Sequence, residues 1–135
     1  MNIYDKLKEL NITLPPVATP AAAYVPFVQT GNLVFLSGHT AKKAGKPWVG
    51  KLGTTMTTEE GKAAARSVAI DLMGTLPGAV GDLNLVKRIV TLVSLVNSSP
   101  DFTAQPLVAN AASAWLGPVF GVGVGLAARA CARGL

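Results

Sequence analysis

The sequence predicts an α+β fold, a mixed sheet with its two main helices on one face, and three observations carry that expectation. Two short apolar runs between Tyr24 and Gly38 flank a Thr30-Gly31-Asn32 turn, and a later run from Val86 to Asn97 is rich in β-branched residues. Two segments of helical apolar spacing follow these strands, one after each. The strands are apolar on both sides, while two helices suffice for one face only. The opposite face therefore needs a neighbouring subunit against it. A chain of 135 residues has the size of one ordinary domain, and residues 1–135 are read as a single one.

The elements follow in order. Residues 2 to 10 read as a short helix with Ile3, Leu7 and Leu10 on one side, and the proline-rich lead-in up to residue 20 ends it. In the hairpin, Gly31 takes a positive φ at little cost and Asn32 tolerates one, while Leu33, Phe35 and Ser37 point one way and Val34, Leu36 and Gly38 the other. Residues 39 to 56 read as a long loop with a short extended piece around Trp48 and Val49. Thr57 followed three residues later by Glu60 is a capping box, so a helix starts there, with Ala65, Val68, Ala69, Leu72 and Leu76 as its stripe and Pro77-Gly78 as its stop. Lys62, Arg66 and Asp71 fall on the solvent side. After the strand, Ser99-Pro100-Asp101 caps a second helix reaching about Leu116, and Gly117-Pro118 ends it.

Composition excludes several classes. Half the residues are apolar and 14% are charged, which rules out a disordered chain. The net charge of +5 invites non-specific attraction to polyanions, yet the twelve Lys and Arg are spread along the chain in runs no longer than Lys42-Lys43 or Lys87-Arg88, so specific nucleic-acid binding is not expected. The single cysteine, Cys131, excludes an internal disulfide and a cysteine-rich metal site, and the cytoplasm is the natural compartment. Neither a signal peptide nor an apolar run long enough to span a bilayer is visible, so no membrane role is expected.

Three long motifs, TLPPVATPAAAYVPFVQTGNLVFLSG, GKLGTTMTTEEGKAAARSVAIDLM and GDLNLVKRIVTLVSLVNSSPDFTAQPLVANAAS, resemble the YjgF/YER057c/UK114 (RidA-like) family over roughly residues 11 to 121. The resemblance implies a chorismate-mutase-like fold, a homotrimer with a barrel of sheets at its centre, and clefts between subunits. It also implies hydrolysis of reactive 2-imino or enamino acids to 2-keto acids and ammonia, without cofactor or metal. That chemistry needs a cation for the substrate carboxylate and a positioned water. Within Ala128-Arg129-Ala130-Cys131, which matches the family's arginine run, Arg129 would grip the carboxylate and the Cys131 backbone carbonyl would orient water. Tyr24, Ser37, Gly38, Asn110 and His39, the last in place of the usual glutamine, would line the substrate cleft.

Plainer readings stand beside these. Arg129 could be a solvated surface charge, Cys131 a small buried apolar residue, Tyr24 at least half core, and Asn110 a partner of nearby backbone. A lone His39 cannot make a metal site and reads as a loop or cleft hydrogen bond. After Gly121 the chain runs VGVGLAARACARGL, an atypical tail over 122–135, where the family continues through further strands to a glutamate that accepts a proton from water. The composition of this tail suggests truncation or a shifted reading frame, with a C-terminal strand missing or altered. A non-catalytic ligand-binding trimer is the first alternative function, and the endoribonuclease or translation-inhibitor activity attached to some relatives is the second.

Overall fold

The computed structural model describes residues 2–17, 19–20 and 22–133. Met1 and Ala18 of the N-terminal helix and lead-in, Ala21 just after it, and Gly134 and Leu135 of the tail lie outside the described residues. The chain divides into two compact units, one of residues 1–39 and 70–86, the other of residues 40–69 and 87–135.

In the first unit, Asn2 caps helix α1 (Ile3–Glu9) by accepting from the Tyr4 N–H, and Leu7 is the residue it buries. Strands β1 (Phe27–Thr30) and β2 (Leu33–Leu36) form the expected hairpin, with Thr30 opposite Leu33 across a two-residue turn. Of its two central residues only Gly31 takes a positive φ, 56°, as a turn with glycine in first place requires. Phe27, Val34 and Leu36 are half-buried while Val28, Leu33 and Phe35 are exposed, so both faces of the hairpin are indeed apolar. A side chain at Gly78, in the last turns of helix α2 (Thr58–Val80), would meet Phe27 and Val17 within about 3 Å, and glycine lets those groups close in. A short 3-10 helix (Leu83–Leu85) follows, with Leu83 buried and its N–H donating to the Tyr4 hydroxyl at 3.1 Å.

The second unit opens with a small antiparallel ladder, β3 (Lys42–Lys43) and β4 (Lys46–Pro47), turned through Ala44 and Gly45 at φ 52° and 76°. The capping box is present: the Thr57 hydroxyl accepts from the Glu60 N–H and Glu60 Oε1 accepts from the Thr57 N–H, both at 3.2 Å, so α2 begins where the sequence placed it. Strand β5 (Thr91–Val96), helix α3 (Gln105–Phe120), the one-turn α4 (Val122–Gly125) and strand β6 (Ala128–Arg133) form a β-helix-β unit whose strands run parallel. Helix α3 packs against both strands. Leu52, Val96 and Val108 are buried together, with Met56, Ala65 and Phe102 against them.

Several boundaries differ from expectation, each for a local reason. Pro77 and Pro118 lie inside α2 and α3 and do not end them, although each gives up its own N–H and crowds the carbonyl four residues before it. The Gly81 N–H still reaches the Pro77 carbonyl at 2.8 Å and the Gly121 N–H the Gly117 carbonyl at 2.7 Å, and these two glycines, at φ 78° and 85°, are the true stops. The second helix starts at Gln105 because the Ser99 N–H is taken by the Leu52 carbonyl at 2.8 Å and the Ser99 carbonyl by the Phe102 N–H in a separate turn. The strand expected from Val86 begins only at Thr91, since the Ile89 N–H bonds to the Val124 carbonyl at the end of the crossover. No helix among the described residues is long and apolar enough to cross a membrane.

Candidate functional site

The residues singled out from sequence fall into two groups, one in each compact unit. In the second unit, β6 alternates its side chains, and Arg129 and Cys131 stand beside Leu92 and Ser94 of β5. Leu92 and Ser94 are the half-buried residues of β5, so this is the face toward α3. One helical turn apart on α3, Asn110 and Ser113 present Oδ1 and Oγ to the same Arg129 Nη1, which donates to them at 3.1 and 3.3 Å. Arg129 is thus a tethered guanidinium and not a loose surface charge. Its Nε and Nη2 N–H groups have no hydrogen-bond partner among the described residues. They form the edge that meets a carboxylate through two parallel hydrogen bonds.

The Ala128 N–H donates to the Val90 carbonyl at 3.1 Å, which fixes the phase of the parallel ladder. By alternation the Arg129 and Cys131 carbonyls point away from β5, toward an edge that no described strand covers. The Cys131 thiol is free and exposed, which corrects its reading as a small buried apolar residue. Asn110 serves a side chain, not the nearby backbone.

In the first unit Tyr24, 49% exposed and so about half covered, lies just ahead of β1. The Ser37 N–H extends the ladder to the Pro26 carbonyl at 3.0 Å, and its hydroxyl donates back to the Val25 carbonyl at 2.6 Å. Gly38 is open on its Cβ side, with nothing within 4 Å. His39 makes the strongest contact of the group, its Nδ1 2.7 Å from Asp71 Oδ2 and its Nε2 3.5 Å from Thr75 Oγ1. Asp71, expected on the solvent side of α2, is instead mostly buried against this imidazole.

Asp71 and Thr75 are the residues that sequence reading missed. They stand four apart on one helix face, and neither carries a motif that would announce a distant histidine. Among the described residues, no three His, Cys, Asp or Glu side chains come together as a metal site requires.

No family model matches the chain. Protein TCP17 of Trypanosoma cruzi is 45% identical over 130 residues, which cover 96% of this chain and 81% of that protein. Among solved structures, the Agrobacterium tumefaciens protein Atu1372, of unknown function, superposes with a TM-score of 0.85 at 35% identity, over 97% of this chain and 80% of that one. A candidate endoribonuclease from Shewanella oneidensis MR-1 superposes with a TM-score of 0.93 at 28% identity, over 98% and 88% of the two chains. On this agreement of sequence and architecture, the chain belongs with Protein TCP17 in one family, of the α+β YjgF/L-PSP fold.

Proposed function

We propose that the chain hydrolyses reactive 2-imino or enamino acids to 2-keto acids and ammonia in a cleft between subunits of a homotrimer, in the cytoplasm. The observation that carries this reading is the tether on Arg129, whose Nη1 is held by Asn110 and Ser113 while its Nε/Nη2 edge has no partner among the described residues. A guanidinium held in this way is oriented before the substrate arrives, so less entropy is lost when the carboxylate binds.

With the carboxylate on Arg129, the imine carbon lies within reach of a water held by the outward Cys131 carbonyl. The water oxygen bonds to C2, the C=N π electrons pass to nitrogen, and nitrogen takes the proton that water gives up. The hydroxyl proton of this carbinolamine then passes to the amino nitrogen, the C–N bond breaks with its electrons leaving on nitrogen as ammonia, and the C–O bond becomes the ketone. Release of keto acid and ammonia from freshly generated 2-iminobutanoate or 2-iminopropanoate tests it. An unchanged rate in Arg129→Ala removes Arg129 from the mechanism, and no turnover by the native chain removes the activity.

A second reading comes from the description of the Shewanella protein as a candidate endoribonuclease. It requires strand scission of RNA by a preparation freed of trace nucleases.

A further inference from the structure

Helix α3 is 16 residues long and has no charged side chain anywhere along it. Asn110 and Ser113 hold Arg129 Nη1, and Pro106 and Leu107 lie four and three residues before Asn110, one turn back on the same side of the helix. Helical side chains lean toward the N-terminus, so the Asn110 amide reaches back over the turn that Pro106 and Leu107 occupy. The guanidinium is therefore fastened beside an apolar ledge. Both residues of the ledge are exposed, and Leu107, 57% exposed, is the largest apolar side chain that α3 leaves in solvent.

The carboxylate that Arg129 would grip is common to every 2-imino acid, so it cannot tell one from another. Discrimination falls to the substrate side chain. Along α3 that side chain meets Leu107 on one side of Asn110 and the exposed methyl of Ala114 on the other. A second carboxylate there would give up water and gain no partner from the helix, whereas an aliphatic group would cover Leu107 and be covered by it.

We infer that Leu107 is a specificity-determining residue of the Arg129 site and selects 2-imino acids with a bulky aliphatic side chain over those with a methyl or a charged one. The inference rests on the proposed imine hydrolysis and adds the substrate class to it. Leu107 touches no reacting atom, so its contact is the same before and during the reaction and acts on KM, leaving kcat unchanged.

The test gives the full chain three freshly generated substrates, 4-methyl-2-iminopentanoate, 2-iminopropanoate and 2-iminoglutarate. The first is expected to show a kcat/KM at least about tenfold above the other two, the lower end of what one methylene is worth in an apolar pocket, because the ledge is open on one side. Leu107→Ala is expected to shrink that advantage at least about threefold through KM, and Leu107→Lys to raise kcat/KM for 2-iminoglutarate above that for 4-methyl-2-iminopentanoate. Equal use of the three substrates by the native chain overturns the inference and leaves the hydrolysis standing, and so does a native preference that both variants retain. No turnover of any of them removes the hydrolysis, and the product keto acids then decide the inference by themselves. Ligand-observed NMR should rank 4-methyl-2-oxopentanoate above pyruvate and 2-oxoglutarate on the native chain, with the ranking lost in Leu107→Ala, and any other order overturns it. Circular dichroism shows whether each variant is folded, and if neither is, the native series alone decides.

Discussion

His39 Nδ1 lies 2.7 Å from Asp71 Oδ2, so the residue that follows the hairpin is fastened to the middle of α2 through side chains alone. A carboxylate only accepts, so the imidazole donates from Nδ1 and turns Nε2 toward the Thr75 hydroxyl, which is fully buried. The His39 side chain is 7% exposed and that of Asp71 15%, so removing the carboxylate leaves the imidazole N–H without its acceptor and away from water. Asp71→Ala is expected to cost about 1 to 3 kcal/mol. Asp71→Asn, which keeps an acceptor oxygen, should cost less. Urea unfolding measures both, and equal midpoints for native chain and Asp71→Ala would show that the bond contributes nothing. His39 is the only histidine, so its imidazole nitrogen resonances need no assignment, and they should report the tautomer with its proton on Nδ1.

Arg129 and Asn110 give a prediction about the proposed reaction. Asn110→Ala removes one of the two acceptors on Nη1, so the guanidinium loses orientation but keeps its charge. The expected result is a rise in KM for imino acids of up to about tenfold, from the roughly 0.5 to 1.5 kcal/mol of one hydrogen bond, with a smaller change in kcat. Arg129→Lys retains the charge and loses the fork, and should be the more damaging of the two. If Asn110→Ala lowers kcat and leaves KM alone, Asn110 acts on the reacting atoms and not through Arg129.

Thr57 and Glu60 carry a pH signature. The Glu60 carboxyl is held below its usual range, first by the bond from the Thr57 backbone, then by the Thr57 hydroxyl, and less by the Lys43 charge. A depressed pKa means that the folded chain favours the ionised form, so this contribution is fully present above the ordinary glutamate range and is lost as pH falls through the lowered value. Thr57→Ala is expected to destabilise the chain by about 1 kcal/mol at neutral pH, and by less in acid, where Glu60 is protonated in both forms. Thermal melts at neutral and acid pH read the difference. A penalty that grows toward acid contradicts the capping-box account.

Gly74 records a close approach within the first unit. A Cβ there would collide with the Pro15 backbone carbonyl and with its ring carbons at 2.9 and 3.0 Å. Backbone cannot swing aside as a flexible side chain can, so the helix-propensity gain of alanine is outweighed and Gly74→Ala should destabilise by about 1 to 3 kcal/mol. A raised melting temperature in this variant would mean that the proline-rich lead-in yields at little cost.

The elements with local causes were legible in the sequence. The Gly31 turn, the Thr57/Glu60 box and the apolar alternation of Leu33 to Leu36 depend on residues within a few positions, and the structure carries all three. What the sequence hid depends on long-range closure. Pro77 and Pro118 looked like stops because the glycines that end those helices lie three or four residues further on. Asp71 looked solvated because its partner is 32 residues away. At the candidate site, Arg129 and Asn110 were each visible as residues. Their contact was not, since it needs β6 laid parallel to β5 under α3.

The outer face of the β5–β6 ladder yields the last prediction. Val93 and Leu95 are 66% and 79% exposed, and the β6 residues on that face, Ala128, Ala130 and Ala132, add small apolar surface without charge. An uncharged sheet face of this kind fits burial against another subunit, as the proposed homotrimer supplies. Leu95→Glu places a carboxylate on that face, where assembly would bury it without a partner, while a free chain leaves it in water at little cost. Sedimentation equilibrium is therefore expected to give three times the chain mass for the native protein and the chain mass for Leu95→Glu, with imine turnover lost in the variant because the proposed clefts lie between subunits. A native protein that sediments at the mass of one chain would remove the trimer, and with it the intersubunit cleft. A trimeric Leu95→Glu would move the interface to another face, the exposed Val28, Leu33 and Phe35 surface of the hairpin being the next to test.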